Sequence, residues 1–195
     1  MERIGLFGGT FDPIHFGHLI TAETVRSDFG LDRILFIPAA IPPHKHKTSL
    51  SPAPLRLTMV KLALEKTPYF EVSDVEIKRG GVSYTVETVQ WFQESDYWKE
   101  NEFYLLIGVD SLLELGNWRY PDRILEKVPI LVMERPGFDS EKAEKQFLEK
   151  IVPVKVPLID ISSSEIRRRV KEGKSIRYWV PEKVEKYIRQ KGLYL

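Results

Sequence analysis

The chain has 195 residues, of which 43% are hydrophobic and 29% carry a charge. Its 29 Lys and Arg nearly balance 28 Asp and Glu, and the formal net charge of +1 argues against a generally basic, nucleic-acid-binding surface. The absence of cysteine excludes a disulfide framework, thiol catalysis and cysteine-ligated zinc. No stretch is apolar over the ~18 residues of a membrane span. The N-terminus also lacks the pattern of a signal peptide, so we expect a cytoplasmic protein.

Apolar runs of strand length alternate with helical periodicities along the chain. The first half predicts a strand over 3–7, a helix over 16–29, a strand over 33–37, a helix over 55–66, a strand over 70–77 and a helix over 85–94. The second half predicts a strand over 103–107, helices over 111–115 and 120–127, a strand over 130–133, a polar helix over 140–150, a strand over 152–156 and helices over 165–171 and 182–190.

This alternation predicts an α/β fold, a doubly wound parallel sheet with helices on both faces. At about 150 residues per domain, we expect a single domain over 1–195, with a helical C-terminal part from about 161 to 195 packed on it. In such sheets, ligands bind at the carboxyl ends of the strands, where the strand order reverses.

The densest group of chemically useful residues is the segment 8–18, GGTFDPIHFGH, which follows the first strand and opens the first helix. Gly8 and Gly9 let a ligand approach the backbone, and the helix start offers N–H groups and a positive dipole end to phosphate. His15 and His18 are three residues apart, so both can donate hydrogen bonds from one face. The alternative is a glycine-rich turn with two surface histidines, which leaves this convergence unexplained.

Other phosphate- and metal-binding patterns fail on spacing. No Lys-Ser or Lys-Thr pair follows Gly17, as a P-loop requires, and the G-x-G-x-x-G of dinucleotide-binding enzymes is absent. The H-E-x-x-H pattern is also absent, and no acidic or thiol partner stands at ligand spacing from the histidines. We therefore predict no metal held by the protein itself.

Residues 161–169, ISSSEIRRR, form a second candidate phosphate site. Ser162 and Glu165 have the spacing of a capping box, which alone predicts only a capped helix with a solvated arginine run. In the functional interpretation, the serine hydroxyls, the helix N-terminus and Arg167 clamp anionic oxygens. Two helix N-termini that converge on one triphosphate would account for both segments.

Three loop features have two interpretations each. The segment 42–47, PPHKHK, is either a solvated loop or a stiff loop that presents cations to a ligand. Asp110 follows a strand and either caps the next helix or contacts a ligand. Trp118 either stacks on a flat ring or covers an edge of the core.

Together, these motifs resemble those of the H-x-G-H nucleotidyltransferase superfamily and, within it, of the bacterial nicotinate-nucleotide adenylyltransferases. The stretches that carry the resemblance are LFGGTFDPIHFGH, IPPHK, SYTVETV, LIGVDSL and ISSSEIRRRV, between residues 6 and 170, and the ending QKGLYL is also similar. The resemblance implies a Rossmann-like fold. It also implies transfer of the adenylyl group of ATP to nicotinate mononucleotide, which yields deamido-NAD and pyrophosphate, with magnesium (Mg2+) delivered by ATP.

The resemblance also assigns roles to individual residues. Catalytic roles are implied for His15, His18, Lys45 and Arg167. Contacts with ATP are implied for Gly8, Gly9, Thr10, Phe11, Gly108, Asp110, Ile161, Ser163 and Ser164. Contacts with the nicotinate substrate are implied for Thr85, Trp118, Arg119 and Arg135. Two positions depart from the family pattern: Ser164 replaces a threonine and keeps its hydroxyl, and Arg119 stands where an aromatic residue or histidine is common.

Three other functions fit parts of this pattern. Sister enzymes that act on nicotinamide mononucleotide or pantetheine phosphate share the H-x-G-H signature, but the segments 83–85 and 117–119 favour the nicotinate enzyme. A dinucleotide-binding redox enzyme would need the missing glycine motif, and a nucleotide sensor would not need the complete signature with its Ser/Arg pair. We therefore expect ATP and nicotinate mononucleotide as partners, without nucleic acid or membrane. A homo-oligomer is compatible with the sequence.

Overall fold

The computed structural model describes residues 1–43, 50–134 and 144–195, without the side chain of Lys145. Its strands are β1 Arg3–Gly9, β2 Arg33–Pro38, β3 Phe70–Val72, β4 Glu102–Gly108, β5 Ile130–Glu134 and β6 Ile151–Lys155. Its helices are α1 Phe16–Phe29, α2 Ala53–Leu64, α3 Val75–Arg79, α4 Thr85–Glu94, α5 Val109–Leu113, α6 Pro121–Lys127, α7 Lys145–Leu148, α8 Ser163–Lys171 and α9 Glu182–Lys191, with a 3-10 turn at Leu115–Asn117. In this part of the chain, no helix is long and apolar enough to cross a membrane.

The strands form one parallel sheet in the order β3-β2-β1-β4-β5-β6. The order reverses between β1 and β4, which are the first strand of each half of the sheet. The predicted doubly wound parallel sheet is therefore confirmed, and the reversal point is where such a sheet binds a ligand.

Helices cover both faces of the sheet, which explains why its central strands are apolar without alternation. Along β2, Ile34 and Phe36 join one core, while Leu35 and Ile37 join the other. The first core lies under α1, α2, α8 and α9, and the second lies under α3 to α7. The C-terminal helices thus pack on the same face as the first helix, close to its N-terminal end.

Most predicted elements differ from the observed ones only at their ends, where boundaries are least well determined. Helix α1 has the predicted bounds and ends at Gly30, whose φ of 67° is the left-handed conformation of a glycine C-cap. Of the predicted helix over 140–150, residues 140–143 lie outside the described residues, and the described part contains α7.

The predicted strand over 70–77 was wrong beyond Val72. Strand β3 is an edge strand that pairs with β2 alone, and it contains only three residues before the chain turns. The following residues form the five-residue helix α3, which buries both Val75 and Glu76 against the sheet and α4. A helix this short depends on such packing rather than on its own propensity.

Candidate active site

A cavity of about 370 Å³ opens at the carboxyl ends of β1 and β4, where the strand order reverses. The predicted site residues that line it are Gly8, Gly9, Thr10, His18, Thr85, Gly108, Trp118 and Arg119. A Cβ added at Gly8 or Gly108 would have no atom within 4 Å, so the backbone is open toward the cavity. A ligand can therefore approach the ends of both strands closely.

The two histidines of the signature form a stacked pair at the start of α1. Their ring centroids are 3.7 Å apart, and the ring planes meet at 25°. His15 is the N-cap residue and is buried, while His18 is half-buried and lines the cavity. The backbone N–H of His15 donates to Nδ1 of His18 over 3.3 Å. A neutral His18 therefore carries its proton on Nε2, where the ring acts as a hydrogen-bond donor.

Gly17 has a packing role in the same signature. A Cβ on this residue would lie 2.9 Å from Nδ1 of His15 and 3.5 Å from the carbonyl oxygen of Ile161. Any larger residue would push the His15 ring or the approach to α8 away. The glycine in H-x-G-H thus allows the histidines to stack beside the segment that precedes α8.

The buried ring of Phe11 packs against the histidine pair. The φ of Phe11, 49°, is left-handed, and its ring is only 2% exposed. The ring meets that of His18 edge-on, with centroids 5.0 Å apart. Because the ring lies in the core, only the backbone of Phe11 is placed to make the contact with ATP that the sequence predicts.

The start of α8 lies against the loop that leads into α1, so the two helix N-termini meet as the sequence predicts. Ser162 caps α8 by accepting from the backbone N–H of Glu165 over 3.2 Å. The hydroxyl of Ser163 donates to the Pro13 carbonyl over 2.9 Å. Arg167 donates to the Asp12 carbonyl over 2.8 Å and, less closely, to the hydroxyl of the exposed Ser164.

The opposite wall of the cavity is formed by the start of α4 and the loop after α5. Tyr84 is the N-cap residue and Thr85 the first helical residue, which confirms the predicted helix start. The guanidinium of Arg119 lies 4.5 Å from the centre of the Tyr84 ring and forms an ion pair of 3.1 Å with Glu87. Trp118 is half-buried and packs on the second core, which confirms that it covers an edge of the core. It also lines the cavity, and its stacking on a flat ring stays a prediction.

Some predicted site residues lie elsewhere. Asp110 is exposed, does not line the cavity and does not cap α5, because Gly108 is the N-cap residue. Its carboxylate instead occupies the first helical turn, where it interacts favourably with the dipole. The predicted roles of Lys45 and Arg135 concern positions outside the described residues.

Arg56 is a structural residue of the site that the sequence interpretation missed. It is 1% exposed, and its guanidinium donates only to carbonyl oxygens among the described residues. The acceptors belong to Thr10, Ala39, Ala40 and Ser51, at 2.7, 2.6, 3.0 and 3.0 Å. Burial lowers the pKa of Arg56. One side chain thus holds together the chain segments that follow β1 and β2.

Replacing Arg56 with methionine is expected to destabilise the fold by at least ~3 kcal/mol, because each buried acceptor left unmatched costs ~1–3 kcal/mol. Urea unfolding measures the loss. The exposed Lys61 lies on the same helix, and Lys61→Met is the matched control, with an expected change within ~0.5 kcal/mol. Equal effects of the two substitutions would contradict the role assigned to Arg56.

A buried carboxyl group, Glu76, also lines the cavity. It accepts a hydrogen bond of 2.7 Å from the hydroxyl of Thr88, which in turn accepts from Arg79 over 3.1 Å. Burial raises the pKa of Glu76, against the opposing effect of these hydrogen bonds and nearby arginines.

Since its pKa is higher in the folded state, Glu76 keeps a proton that the unfolded chain loses, so its contribution to stability falls as pH rises. Glu76→Gln keeps the acceptor for Thr88 and removes the titration. The variant is expected to lose less stability than the parent protein between about pH 4.5 and pH 8. The free energy of unfolding of both proteins, measured at several pH values, tests this. The same pH dependence in the variant and the parent would contradict it.

The described residues contain no group of three or more His, Cys, Asp or Glu side chains arranged to hold a metal ion. Around the histidine pair, the groups brought together are backbone N–H donors, hydroxyls, imidazoles and the guanidinium of Arg167. Such donors fit the anionic oxygens of a phosphate chain.

The chain is similar to known proteins along nearly its whole length. The family model for cytidylyltransferase-like proteins matches residues 6–169. A probable nicotinate-nucleotide adenylyltransferase of Moorella thermoacetica is 43% identical over 98% of this chain and 91% of the relative. Its counterpart in Clostridium tetani is 40% identical over 100% of both chains.

A solved structure agrees with the fold. The nicotinic acid mononucleotide adenylyltransferase of Plasmodium falciparum, complexed with NaAD, superposes with a TM-score of 0.81 at 19% identity, over 100% of this chain and 98% of that one. At this identity, the likeness concerns the fold. The family match and the full-length relatives go further: the chain belongs to the cytidylyltransferase-like family and, within it, to the nicotinate-nucleotide adenylyltransferases.

Proposed function

We propose that the protein transfers the adenylyl group of ATP to nicotinate mononucleotide, forming deamido-NAD and pyrophosphate in NAD biosynthesis. The observation that carries the proposal is the cavity at the strand reversal. It has phosphate-binding groups on one side and a helix start with an aromatic ring on the other. Two nucleotides can thus meet in one site with their phosphates together. The names of the relatives support this assignment.

On the ATP side, the open backbone at Gly8 and Gly108 accommodates the nucleotide, with Gly9 and Thr10 beside it. His15 and His18, stacked at the start of α1, donate to the phosphates. The start of α8 supplies a second set of donors, which are Ile161, Ser163, Ser164 and Arg167. We keep Phe11 and Asp110 as ATP contacts and Lys45 as a phosphate contact on their sequence motifs alone.

The reaction needs no covalent intermediate with the protein. An oxygen of the mononucleotide phosphate attacks the α-phosphorus of ATP, and the bond from that phosphorus to the bridging oxygen breaks with its electron pair leaving on pyrophosphate. The nucleophile is already an anion, so no general base is required. Catalysis then consists of positioning the two phosphates and neutralising their charge in the transition state. Magnesium bound to ATP would supply part of that neutralisation.

On the acceptor side, the start of α4 lines the cavity, and its backbone N–H groups and the Thr85 hydroxyl are the donors that we assign to the substrate. Trp118 offers its ring face to the nicotinate ring, and Arg119 is held beside it by Glu87 and Tyr84. Arg135 is proposed to meet the mononucleotide phosphate on the basis of its sequence motif alone.

An assay of pyrophosphate release tests the function. Purified protein is mixed with ATP, magnesium and one of three acceptors: nicotinate mononucleotide, nicotinamide mononucleotide or pantetheine phosphate. Release is expected with nicotinate mononucleotide, together with deamido-NAD in equal amount. Release without any acceptor, or with pantetheine phosphate in preference, would replace the proposal with hydrolysis or with the sister activity.

We further propose that residues 1–195 act as one unit. Helices α8 and α9 share a core with α1 and α2, and Arg167 bonds to the loop that precedes α1. We also propose that the reaction takes place in the cytoplasm, the compartment expected from the sequence.

A further inference from the structure

A buried carboxylate, that of Asp12, joins three separate parts of the chain. Asp12 is 1% exposed and lies in the loop between β1 and α1. Its Oδ1 accepts a hydrogen bond of 2.6 Å from the hydroxyl of Tyr194, and its Oδ2 accepts one of 3.0 Å from the backbone N–H of Ser51. Both oxygens are therefore engaged, one by a side chain near the C-terminus and one by the backbone before α2.

The backbone of the same residue receives the arginine of the proposed phosphate site. The carbonyl oxygen of Asp12 accepts from Nη1 of Arg167 over 2.8 Å. The next carbonyl, that of Pro13, accepts from the hydroxyl of Ser163 over 2.9 Å. The direction of these two carbonyls sets where Arg167 and Ser163 lie, and the side chain of Asp12 holds the peptide that carries the first of them.

Tyr194 reaches this carboxylate from the segment after α9. Gly192 ends that helix in the left-handed conformation, and Tyr194 itself has a φ of 69°. The ring packs against the first core, and the hydroxyl also lies 3.9 Å from the sulfur of Met59. Burial and the nearby Asp12 carboxylate raise the pKa of Tyr194, so its hydroxyl stays protonated and acts as a donor. A left-handed backbone in a residue other than glycine costs energy, which the contacts of the ring and hydroxyl offset.

We propose that Tyr194 is a positioning residue for adenylyl transfer, which acts through Asp12 on Arg167 and on the turn into His15. The proposal rests on the function proposed above for the same site. Tyr194 does not line the cavity, so its effect reaches the phosphates only through the groups that Asp12 holds. A purely structural anchor would instead lower the stability of the protein and leave the turnover of folded molecules unchanged.

The test compares Tyr194→Phe with Tyr187→Phe, which removes a hydroxyl that has no hydrogen-bond partner among the described residues. Tyr187 also packs against the first core, from α9, so it is a matched control. Tyr194→Phe is expected to lower kcat by ~10–100-fold, since small misplacements of catalytic groups have effects of this size. The control is expected to retain parental kcat. An unchanged kcat in folded Tyr194→Phe, with only a lower unfolding midpoint, would overturn the proposal.

A double-mutant cycle separates positioning from general loosening. If Tyr194 acts through Arg167, Tyr194→Phe is expected to lower kcat by a much smaller factor in an Arg167→Ala background than in the parent protein. An equal fold-decrease in kcat in both backgrounds would overturn the proposal. Should Tyr194→Phe fail to fold, Asp12→Asn provides the second variant, because an amide cannot accept from both Tyr194 and Ser51 with its two atoms. Its kcat is expected to fall similarly, and parental kcat would again count against the role.

The proposed function and this inference can fail separately. If the parent protein releases no pyrophosphate with any mononucleotide, the function proposed above is wrong. If the parent is active and the Tyr194 and Asp12 variants match it in kcat, only the positioning role is wrong.

Discussion

Replacing His18 with alanine is expected to lower kcat by ~10²–10³, with a much smaller change in the KM for ATP. His18 lines the cavity, and its Nδ1 accepts from the His15 backbone, so a neutral ring carries its proton on Nε2. We expect this Nε2–H to donate to the phosphates of ATP. We expect this hydrogen bond to strengthen as negative charge grows on the α- and β-phosphates. Removing it therefore raises the transition state more than the bound ATP.

Steady-state kinetics with varied ATP separate the two effects. The matched control is Thr24→Ala on the same helix, whose hydroxyl bonds only to its own helix at Ile20 among the described residues. Both constants are expected to stay at parental values in that control. If His18→Ala keeps kcat and raises only the KM for ATP, the residue binds the ground state and its assigned role is wrong.

Discrimination between nicotinate mononucleotide and nicotinamide mononucleotide is the other large effect that we expect. The start of α4 offers backbone N–H groups and the Thr85 hydroxyl, all of which can donate to a carboxylate. An amide placed there would direct its own N–H groups at these donors or leave them unmatched, at ~1–3 kcal/mol for each group. Two such mismatches predict a ratio of kcat/KM values between ~10² and ~10⁴ in favour of the acid.

The ratio is measured with both acceptors under identical ATP and magnesium concentrations. Thr85→Val keeps the shape of the side chain and removes one donor, so we expect it to reduce the discrimination by about tenfold, the value of one hydrogen bond. Equal kcat/KM values for the two acceptors, or a preference for the amide, would mean that the predicted carboxylate site does not exist. The related nicotinamide activity would then be the better assignment.

Elements with local signals could be predicted from the sequence. Helix α1 stands between a histidine N-cap and Gly30, and α4 begins directly after Tyr84, so both bounds follow from nearby residues. The parallel sheet also follows, because uninterrupted apolar runs separated by helices require covering on both faces.

The region of β3 and α3 shows where pattern alone was insufficient. Its apolar residues change phase between Val72 and Val75, so a single strand over 70–77 could not bury both on one face. The helix that replaces the second half of that strand exists because Val75 and Glu76 are buried beneath α4. That packing depends on a neighbour in space, which local periodicity does not reveal.

The placement of His15 and His18 together at the helix start could be predicted from the spacing of their motif. Arg56, Asp12 and Tyr194 were missed because charged and phenolic groups are expected at the surface unless partners are known. Arg56 did leave a signal, since it stands three and four residues before the buried Met59 and Val60, on the apolar face of α2. The partners of Asp12 and Tyr194 come from distant parts of the chain, so no spacing rule connects them.

The hydrogen bonds that join the two helix starts have a consequence for how the molecule forms. The Pro13–Ser163, Asp12–Arg167 and Asp12–Tyr194 bonds connect residues 150, 155 and 182 positions apart. Closing a longer loop costs more chain entropy, so we expect these contacts to form after the more local ones. A refolding chain can therefore complete β1 and its neighbouring strands while the groups that bind phosphate are still unassembled.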